Sequence, residues 1–176
     1  EIYPLSLHDA LPICRVTEAI DRRLARPVAV KELVRGGGED RFVREALITA
    51  RLEHPAIVPV HDRGERDGVP YYVMKRVDGR PLSEVIAQAT TPAARMTLLE
   101  HVIAVCDAVG YAHSRGVIHR DLKPHNVLVG SFGETVVIDW GLAKELGVDE
   151  PAAPDAPARG DRSEERRVGK ECRSRW

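Results

Sequence analysis

The chain has 176 residues, with 26 Lys and Arg against 27 Asp and Glu, so its formal net charge is −1. This balance gives no indication of a nucleic-acid or membrane-surface partner. Hydrophobic residues make up 43% of the chain, and no apolar run approaches the roughly 18 residues of a membrane span, so the composition predicts a soluble globular domain.

The cysteines and the N-terminus favour a cytoplasmic location. Cys14, Cys106 and Cys172 lie far apart and show no metal-ligand spacing, which indicates thiols rather than a disulfide framework. The N-terminus lacks the basic region that begins a signal peptide. An intact parent anchored in a membrane through a segment C-terminal to this sequence remains compatible with that prediction.

The two ends of the chain resemble foreign peptide. Residues 162–176 can be back-translated so that the complementary strand, read in a shifted frame, encodes residues 1–13 except at one position. Both ends are similar to a sequencing-library adapter read in opposite directions, and the alternative is a genuine charged tail. We therefore expect 1–14 and 162–176 to be adapter-derived, with a biological segment of about 15–161.

The first predicted elements are two strands in residues 15–33, joined by a polar turn. Alternation in the second strand places Ala29, Lys31 and Leu33 on one face. Lys31 would therefore point where an apolar pocket would lie, although an isolated lysine of this kind is also typical of an edge strand in water. The glycines at 36–38 follow this strand and indicate a flexible connector.

Residues 39–52 predict a helix with Phe42 and Ala46 along its apolar side. Glu45 lies within that same side. A buried carboxylate requires a cation, and Lys31 is the nearest candidate in the sequence. The alternative is a solvated charge on the helix surface.

The middle of the chain predicts strands over 56–64 and 68–79 around an Asp-Gly turn, followed by a short helix over 82–89. A longer helix over 91–114 begins with an N-cap threonine and a proline. Its apolar stripe, which we expect to face the core, consists of Leu99, Val102, Ile103, Cys106 and Val109. A Pro- and Ala-rich loop follows at 149–159.

The segment 117–141, VIHRDLKPHNVLVGSFGETVVIDWG, concentrates polar side chains between two apolar runs. The runs at 127–129 and 135–138 flank a turn-rich stretch and predict a β-hairpin. This hairpin would bring Asn126, just before the first strand, next to Asp139, just after the second. Two oxygen ligands at one point suit a hard cation such as Mg²⁺.

Two further groups lie in the loop before the hairpin. Asp121 offers a carboxylate that can accept a hydroxyl proton, and Lys123 offers an ammonium that can face a phosphate. Phosphoryl transfer requires groups of these kinds.

The ordered motifs VAVK ending at Lys31, Glu45, HRDLKPHN at 119–126 and DWG at 139–141 resemble the eukaryotic-like (Hanks-type) serine/threonine protein kinases of bacteria. The resemblance covers residues 15–161. It implies an enzyme that uses ATP and Mg²⁺ to phosphorylate Ser or Thr hydroxyls of a protein substrate, and it implies no nucleic-acid partner.

The fold implied by the resemblance is α+β with two lobes. The small lobe, of antiparallel strands plus one helix, would occupy 15–79, and the first part of the mainly helical large lobe would occupy 80–161. A glycine-rich loop is not found before Val16, and the segment 142–161 contains no Ser, Thr or Tyr. We therefore expect weak or absent catalysis from this 176-residue fragment.

The resemblance also implies roles for individual residues. Lys31 would hold the α- and β-phosphates of ATP and pair with Glu45. Asp121 would be the catalytic base and Lys123 would steady the γ-phosphate, while Mg²⁺ would be held by Asn126 and Asp139. The residues that would surround the adenine are Val16, Ala29, Leu128, the gatekeeper Met74 and the hinge residue Val77.

Neighbours of the catalytic loop have expected roles as well. Arg120 beside Asp121 is typical of kinases that are switched by activation-loop phosphorylation. His119 and Trp140 would join a hydrophobic column between the lobes, and for His119 a structural role is favoured over proton transfer.

Two other functions are compatible with parts of this pattern. A nucleotide-binding pseudokinase scaffold usually lacks one of the catalytic groups, whereas Lys31, Asp121, Asn126 and Asp139 are all present. An aminoglycoside-type small-molecule kinase shares an Asp and an Asn at this spacing. Lys123 followed by proline favours the protein kinase.

Overall fold

The computed structural model describes residues 14–34 and 38–147. Its helices are α1 Glu39–Ala50, α2 Leu82–Gln88, α3 Pro92–Met96 and α4 Leu99–Ser114. Its strands are β1 Cys14–Asp21, β2 Arg26–Leu33, β3 Val60–Arg66, β4 Val69–Lys75, β5 Gly79–Pro81, β6 Val117–Ile118, β7 Val127–Gly130, β8 Thr135–Val137 and β9 Lys144–Glu145. Several predicted features lie outside the described residues: the adapter-like peptides except for Cys14, the glycines at 36 and 37, and the loop at 149–159.

Three antiparallel sheets organise the described chain. A four-stranded sheet has the order β1-β2-β4-β3, a three-stranded sheet has the order β5-β7-β8, and β6 pairs with β9. Helix α1 packs against the first sheet through Phe42 and Ala46, which share a buried cluster with Ala29 and Tyr72. The predicted α+β fold with antiparallel strands and one packed helix is confirmed.

The tight turn between β3 and β4 follows directly from the sequence. Asp67 and Gly68 adopt φ values of +54° and +76°, the two consecutive left-handed positions that an Asp-Gly hairpin turn provides. The predicted hairpin is present, but its first strand begins later than expected. Ala56–Val58 instead contact β8, where Val58 N donates to Val137 O at 3.2 Å and Val137 N donates to Ala56 O at 2.8 Å.

The β7–β8 hairpin contributes to two separate buried clusters. Leu128 and Val136 belong to the cluster under the four-stranded sheet, whereas Val127 and Val137 belong to a second cluster that includes α4. Successive side chains of a strand point to opposite faces. The hairpin is therefore packed on both faces, and this fixes the position of the segments just before β7 and just after β8.

The predicted helix over 91–114 is divided into α3 and α4. Thr91 caps α3 as expected, since Ala94 N donates to Thr91 Oγ1 at 3.1 Å. Thr97 ends it, and its hydroxyl donates to Ala94 O at 2.8 Å. Such a side-chain bond to the backbone of the preceding turn competes with helix continuation.

The predicted core face of the second helix is wrong. Leu99, Val102 and Ile103 are 48%, 49% and 61% exposed, and Cys106 is exposed. The side of α4 that is buried carries His101, Ala108 and Ala112. The small residues Ala108 and Ala112 belong to the buried cluster that includes β6 and β8 residues, and their size allows α4 to approach these strands closely.

Cys14 is the first residue of β1. It pairs with Leu33 of β2, and both side chains lie in the same buried cluster.

None of the helices within 14–34 and 38–147 combines the length and the apolar character that a membrane crossing requires.

Candidate active site

A buried ion pair joins β2 to α1. Lys31 Nζ lies 2.6 Å from Glu45 Oε1, and the two side chains are only 5% and 6% exposed. Lys31 reaches this position because strand alternation directs it, together with Ala29 and Leu33, toward α1. The pairing expected from the sequence is therefore present in the structure.

Glu45 has a second buried partner that the sequence did not indicate. The Tyr72 hydroxyl, from β4, donates to the same Oε1 atom at 2.8 Å. Burial, and then the neighbouring Glu45 charge, raise the pKa of Tyr72 well above its ordinary value of 10.0, so the phenol keeps the proton that it donates. One carboxylate oxygen thus accepts hydrogen bonds from side chains of two strands, β2 and β4.

Asp139 lies on the other side of Lys31. Its Oδ1 atom is 3.6 Å from Lys31 Nζ, and its backbone has a φ of +61°. A non-glycine residue in the left-handed region costs about 1 kcal/mol, and such strain is concentrated at functional sites. Asp139 is therefore held in a conformation that points its carboxylate toward the lysine.

The glycine after this turn leaves room for two carboxylates. A Cβ atom on Gly141 would lie 3.0 Å from Glu45 Oε2 and 3.3 Å from Asp139 Oδ1. Both contacts are tighter than ordinary van der Waals distances, so Gly141 permits the close approach of α1 to the DWG motif.

The loop before β7 fixes the carboxylate of Asp121. Asn126 Nδ2 donates to Asp121 O at 2.9 Å and to Asp121 Oδ2 at 3.1 Å, and Lys123 Nζ also contacts Oδ2. Ile138 N donates to Asn126 O at 2.9 Å, so the hairpin brings the start of β7 beside the end of β8. The structure thus places Asp121, Lys123 and Asn126 in one hydrogen-bonded group.

His119, at the start of this loop, packs against the segment that follows β8. Its ring lies 4.6 Å from that of Trp140, and its Nε2 atom is 3.2 Å from Ile138 O. Burial lowers the pKa of His119 below its ordinary value of 6.5, which favours the neutral imidazole. These contacts fit the structural role that was favoured over proton transfer.

Arg120 connects the loop to the segment after the DWG motif. Its Nε atom donates to Leu142 O at 2.5 Å, and its backbone φ is +65°. On the α1 side, Arg41 Nε donates to Gly141 O at 3.0 Å, and Arg51 Nη2 lies 2.6 Å from Glu145 Oε1. The contacts of Arg41 and Arg51 were not foreseen, because their partners are about 100 residues distant along the chain.

A cleft lies between β1, β2 and the chain after β4, and one of its lining residues, Val16, pairs with Lys31 across the two strands. Its lining residues are Val16, Thr17, Glu18, Ala29, Arg76, Val77, Asp78 and Gly79. Of the predicted adenine neighbours, Val16, Ala29 and Val77 line this cleft. Met74 and Leu128 are buried in the cluster that contains Ala29.

Arg76 forms ion pairs with Glu18 and Asp78 at the rim of the cleft. Arg76 Nε lies 3.0 Å from Glu18 Oε1, and Arg76 Nη2 lies 4.0 Å from Asp78 Oδ1. The carboxylate of Glu18 raises the pKa of the Arg76 guanidinium further above its ordinary value. This rim was not predicted from the sequence.

The donor set suits a hard cation and a phosphate chain. Asp139 and Asn126 supply oxygen atoms of the kind that Mg²⁺ prefers, and Mg²⁺ is commonly held by one or two carboxylates together with substrate phosphates. Within the described ranges, no cluster of three His, Cys, Asp or Glu side chains converges as a metal site.

Comparison with known proteins agrees with this geometry. The protein kinase domain family matches residues 13–157. Serine/threonine-protein kinase PknD of Protochlamydia amoebophila is 39% identical over 115 residues, which cover 59% of this chain and 12% of that protein. "Probable serine/threonine-protein kinase SCO3848" of Streptomyces coelicolor is 40% identical over 144 residues, which cover 77% and 21%.

A third relative, "Probable serine/threonine-protein kinase PknB" of Lactococcus lactis, is 47% identical over 106 residues, or 60% of this chain and 17% of that protein. The chain spans between 12% and 21% of the length of these three relatives. Members of this family use ATP and Mg²⁺ in general. The family match extends over most of the chain and includes every motif described above, and the chain therefore belongs to the protein kinase family, among the Hanks-type kinases of bacteria.

Proposed function

We propose that this protein is a serine/threonine protein kinase that transfers the γ-phosphate of ATP to a Ser or Thr hydroxyl of a protein. The observation that carries the proposal is the buried Lys31–Glu45 pair with Asp139 at 3.6 Å from the lysine. An ammonium held in place by Glu45 can form charge-assisted hydrogen bonds to phosphate oxygens, and Asp139 offers an oxygen ligand for the Mg²⁺ that accompanies a phosphate chain. We further propose that 15–79 is the small lobe and 80–161 belongs to the large lobe.

The cleft would hold the nucleotide base. Val16, Ala29 and Val77 offer apolar surface, with Met74 and Leu128 in the adjacent buried cluster. Lys31, which lies on the same face of β2 as Ala29, would contact the α- and β-phosphates while Glu45 fixes its direction.

Asp121 would accept the proton of the substrate hydroxyl. Asn126 and Lys123 both contact its Oδ2 atom, so the carboxylate is held in one orientation before a substrate arrives. A positioned base of this kind contributes about 10²–10⁴-fold to the rate. Lys123 also offers positive charge to the transferred group.

Asn126 and Asp139 would hold Mg²⁺. When bound, Mg²⁺ supplies positive charge that offsets the negative charge of the β- and γ-phosphate oxygens. The left-handed backbone of Asp139 and the missing Cβ of Gly141 leave its carboxylate close to Lys31. Lys31 would then contact the phosphate chain directly, and Asp139 would hold the Mg²⁺ beside it.

The substrate class comes from the relatives and from one local feature. The relatives described above are named serine/threonine-protein kinases. In this chain Lys123 and Pro124 follow the catalytic aspartate, which is the pattern that favours Ser or Thr over a small-molecule acceptor.

A phosphotransfer assay tests the proposal. A longer parent protein that contains this chain and both complete lobes would be incubated with γ-labelled ATP, Mg²⁺ and a protein acceptor rich in Ser and Thr, and acid hydrolysis would identify the labelled amino acid. Asp121→Asn is expected to lower kcat by about 10²–10⁴-fold without weakening ATP binding. Asp107→Asn, an exposed aspartate of α4, is the matched control. Labelling that survives Asp121→Asn would refute the mechanism, and ATP binding without labelling in the unaltered longer protein would favour a scaffold.

A further inference from the structure

Tyr72 stands in an unusual relation to the Lys31–Glu45 pair. In the register of β2 and β4, Lys31 and Tyr72 are direct partners. Both side chains reach the same carboxylate oxygen of α1, at 2.6 Å from Lys31 Nζ and 2.8 Å from the Tyr72 hydroxyl. Glu45 is consequently held by two neighbouring strands through a single atom.

Burial makes this second bond significant. Tyr72 is 4% exposed and Glu45 is 6% exposed, so little water reaches the carboxylate. A buried carboxylate needs further hydrogen bonds besides its ion pair to offset the loss of hydration. A phenol that donates to a charged oxygen forms one of the stronger neutral-to-ion bonds.

The position of the hydroxyl bears on what Lys31 can do. Lys31 Nζ is shared between Glu45 and Asp139, at 2.6 Å and 3.6 Å. Because Tyr72 satisfies part of the Glu45 charge, the lysine does not have to satisfy that charge alone. The ion pair with Glu45 can then persist while the lysine also contacts a phosphate.

The Tyr72 ring is itself fixed by packing. It lies 5.3 Å from the Phe42 ring of α1 and 5.8 Å from Lys31 Nζ. The hydroxyl is thus presented from a rigid sheet position rather than from a mobile side chain. Movement of α1 away from the sheet would break both bonds to Glu45 together.

We propose that Tyr72 is a positioning residue, which fixes the Glu45 carboxylate so that α1 stays against the sheet and Lys31 is directed at the nucleotide phosphates. The part of this proposal that concerns nucleotide binding rests on the proposed function. The hydrogen bond between Tyr72 and Glu45 exists without a nucleotide. The hydroxyl acts only through Glu45 and does not touch the ligand.

The first measurement needs no nucleotide. Carbon-13 at the tyrosine Cζ position reports the hydrogen bond of each phenol in the full chain by NMR. The signal of Tyr72, assigned by its loss in Tyr72→Phe, is expected to shift in Glu45→Gln, while the signal of Tyr71 stays in place. Tyr71 is the matched control, because it lies next to Tyr72 in β4 and points to the other face of the sheet.

The second measurement is the affinity for Mg·ATP. Tyr72→Phe removes one oxygen atom that does not touch the ligand and is expected to weaken binding about threefold to tenfold, the range for the net loss of one ordinary hydrogen bond, whereas Tyr71→Phe has no effect. In the Glu45→Gln background, Tyr72→Phe should cause little further loss, because its partner is already altered.

Several results would overturn the proposal. One is a Tyr72 signal that does not respond to Glu45→Gln. Another is an equal loss of Mg·ATP affinity from Tyr72→Phe with and without Glu45→Gln, which would indicate a general packing effect. Absence of Mg·ATP binding in the unaltered chain would instead contradict the nucleotide site, and the tyrosine signal would still decide whether Tyr72 holds Glu45.

Discussion

Lys31 and Glu45 form an ion pair from which water is almost excluded, with both side chains at most 6% exposed and their charged atoms 2.6 Å apart. The loss of one partner would leave the other charge buried. Breaking a buried pair in this way typically costs about 3–5 kcal/mol. Total stabilities of small domains are only about 5–15 kcal/mol, so the pair matters for folding as well as for the site.

We therefore expect Lys31→Met to lower the free energy of unfolding by about 3–5 kcal/mol, measured by urea denaturation. Adding Glu45→Gln to Lys31→Met should recover part of this loss, because the unpaired charge disappears. The control is Arg15→Met, which breaks the exposed Arg15–Glu32 pair on the same two strands and should cost no more than about 1 kcal/mol. Equal losses at the two sites would contradict the burial argument.

Gly141→Ala is expected to impair the site more than the fold. The new methyl would meet Glu45 Oε2 at 3.0 Å and Asp139 Oδ1 at 3.3 Å, so one carboxylate has to move. Mg·ATP affinity, measured by calorimetry, should fall by at least about tenfold if the shift costs about 1.4 kcal/mol.

Gly110→Ala is the matched control for that substitution. Gly110 lies within α4 with open space at its Cβ position, so alanine should raise the free energy of unfolding by about 0.5–1 kcal/mol and leave affinity unchanged. Unaltered Mg·ATP affinity in Gly141→Ala would show that the close approach of α1 is not required.

The two sides of α4 should respond differently to charge. Ile103 is 61% exposed and Ala108 is fully buried. Ile103→Glu should change the free energy of unfolding by less than about 0.5 kcal/mol. Ala108→Glu should unfold the chain or cost several kcal/mol, because an unpaired carboxylate would be buried. Urea denaturation, monitored by circular dichroism, measures the free energy of unfolding of both variants. A larger loss for Ile103→Glu than for Ala108→Glu would indicate that the face with Ile103 is the buried one.

Stability should decrease on acidification, partly through His119. Burial lowers the pKa of His119 in the folded state, whereas the unfolded value is about 6.5. Below that pH the unfolded chain binds a proton that the folded chain does not, so the free energy of unfolding rises with pH in this range. The stability present above about pH 7 is lost as the pH falls toward the folded-state pKa.

Urea titrations between about pH 5 and 7, the interval around the unfolded pKa, test this effect. The slope of unfolding free energy against pH should be shallower in His119→Gln than in the unaltered chain. Identical slopes would show that His119 does not remain neutral in the folded state.

Local patterns in the sequence were sufficient for much of the site. Alternation in β2 predicted that Lys31 shares a face with Ala29, and helical spacing predicted the inward position of Glu45. The partners of Arg41 and Arg51 could not be predicted in this way, because Gly141 and Glu145 approach α1 only after the hairpin has folded. Tyr72 was missed for the same reason, since nothing in β4 indicates which strand will lie beside it.

The sequence by itself determined the order of the motifs, the strand and helix types around them and the family. These are properties of short segments, in which side-chain period and turn chemistry act over a few residues. Only the tertiary structure decided which face of α4 is buried and that Tyr72 shares an oxygen with Lys31. Both depend on the fit between distant elements: small residues let α4 approach the sheet, and strand register places a phenol beside the lysine.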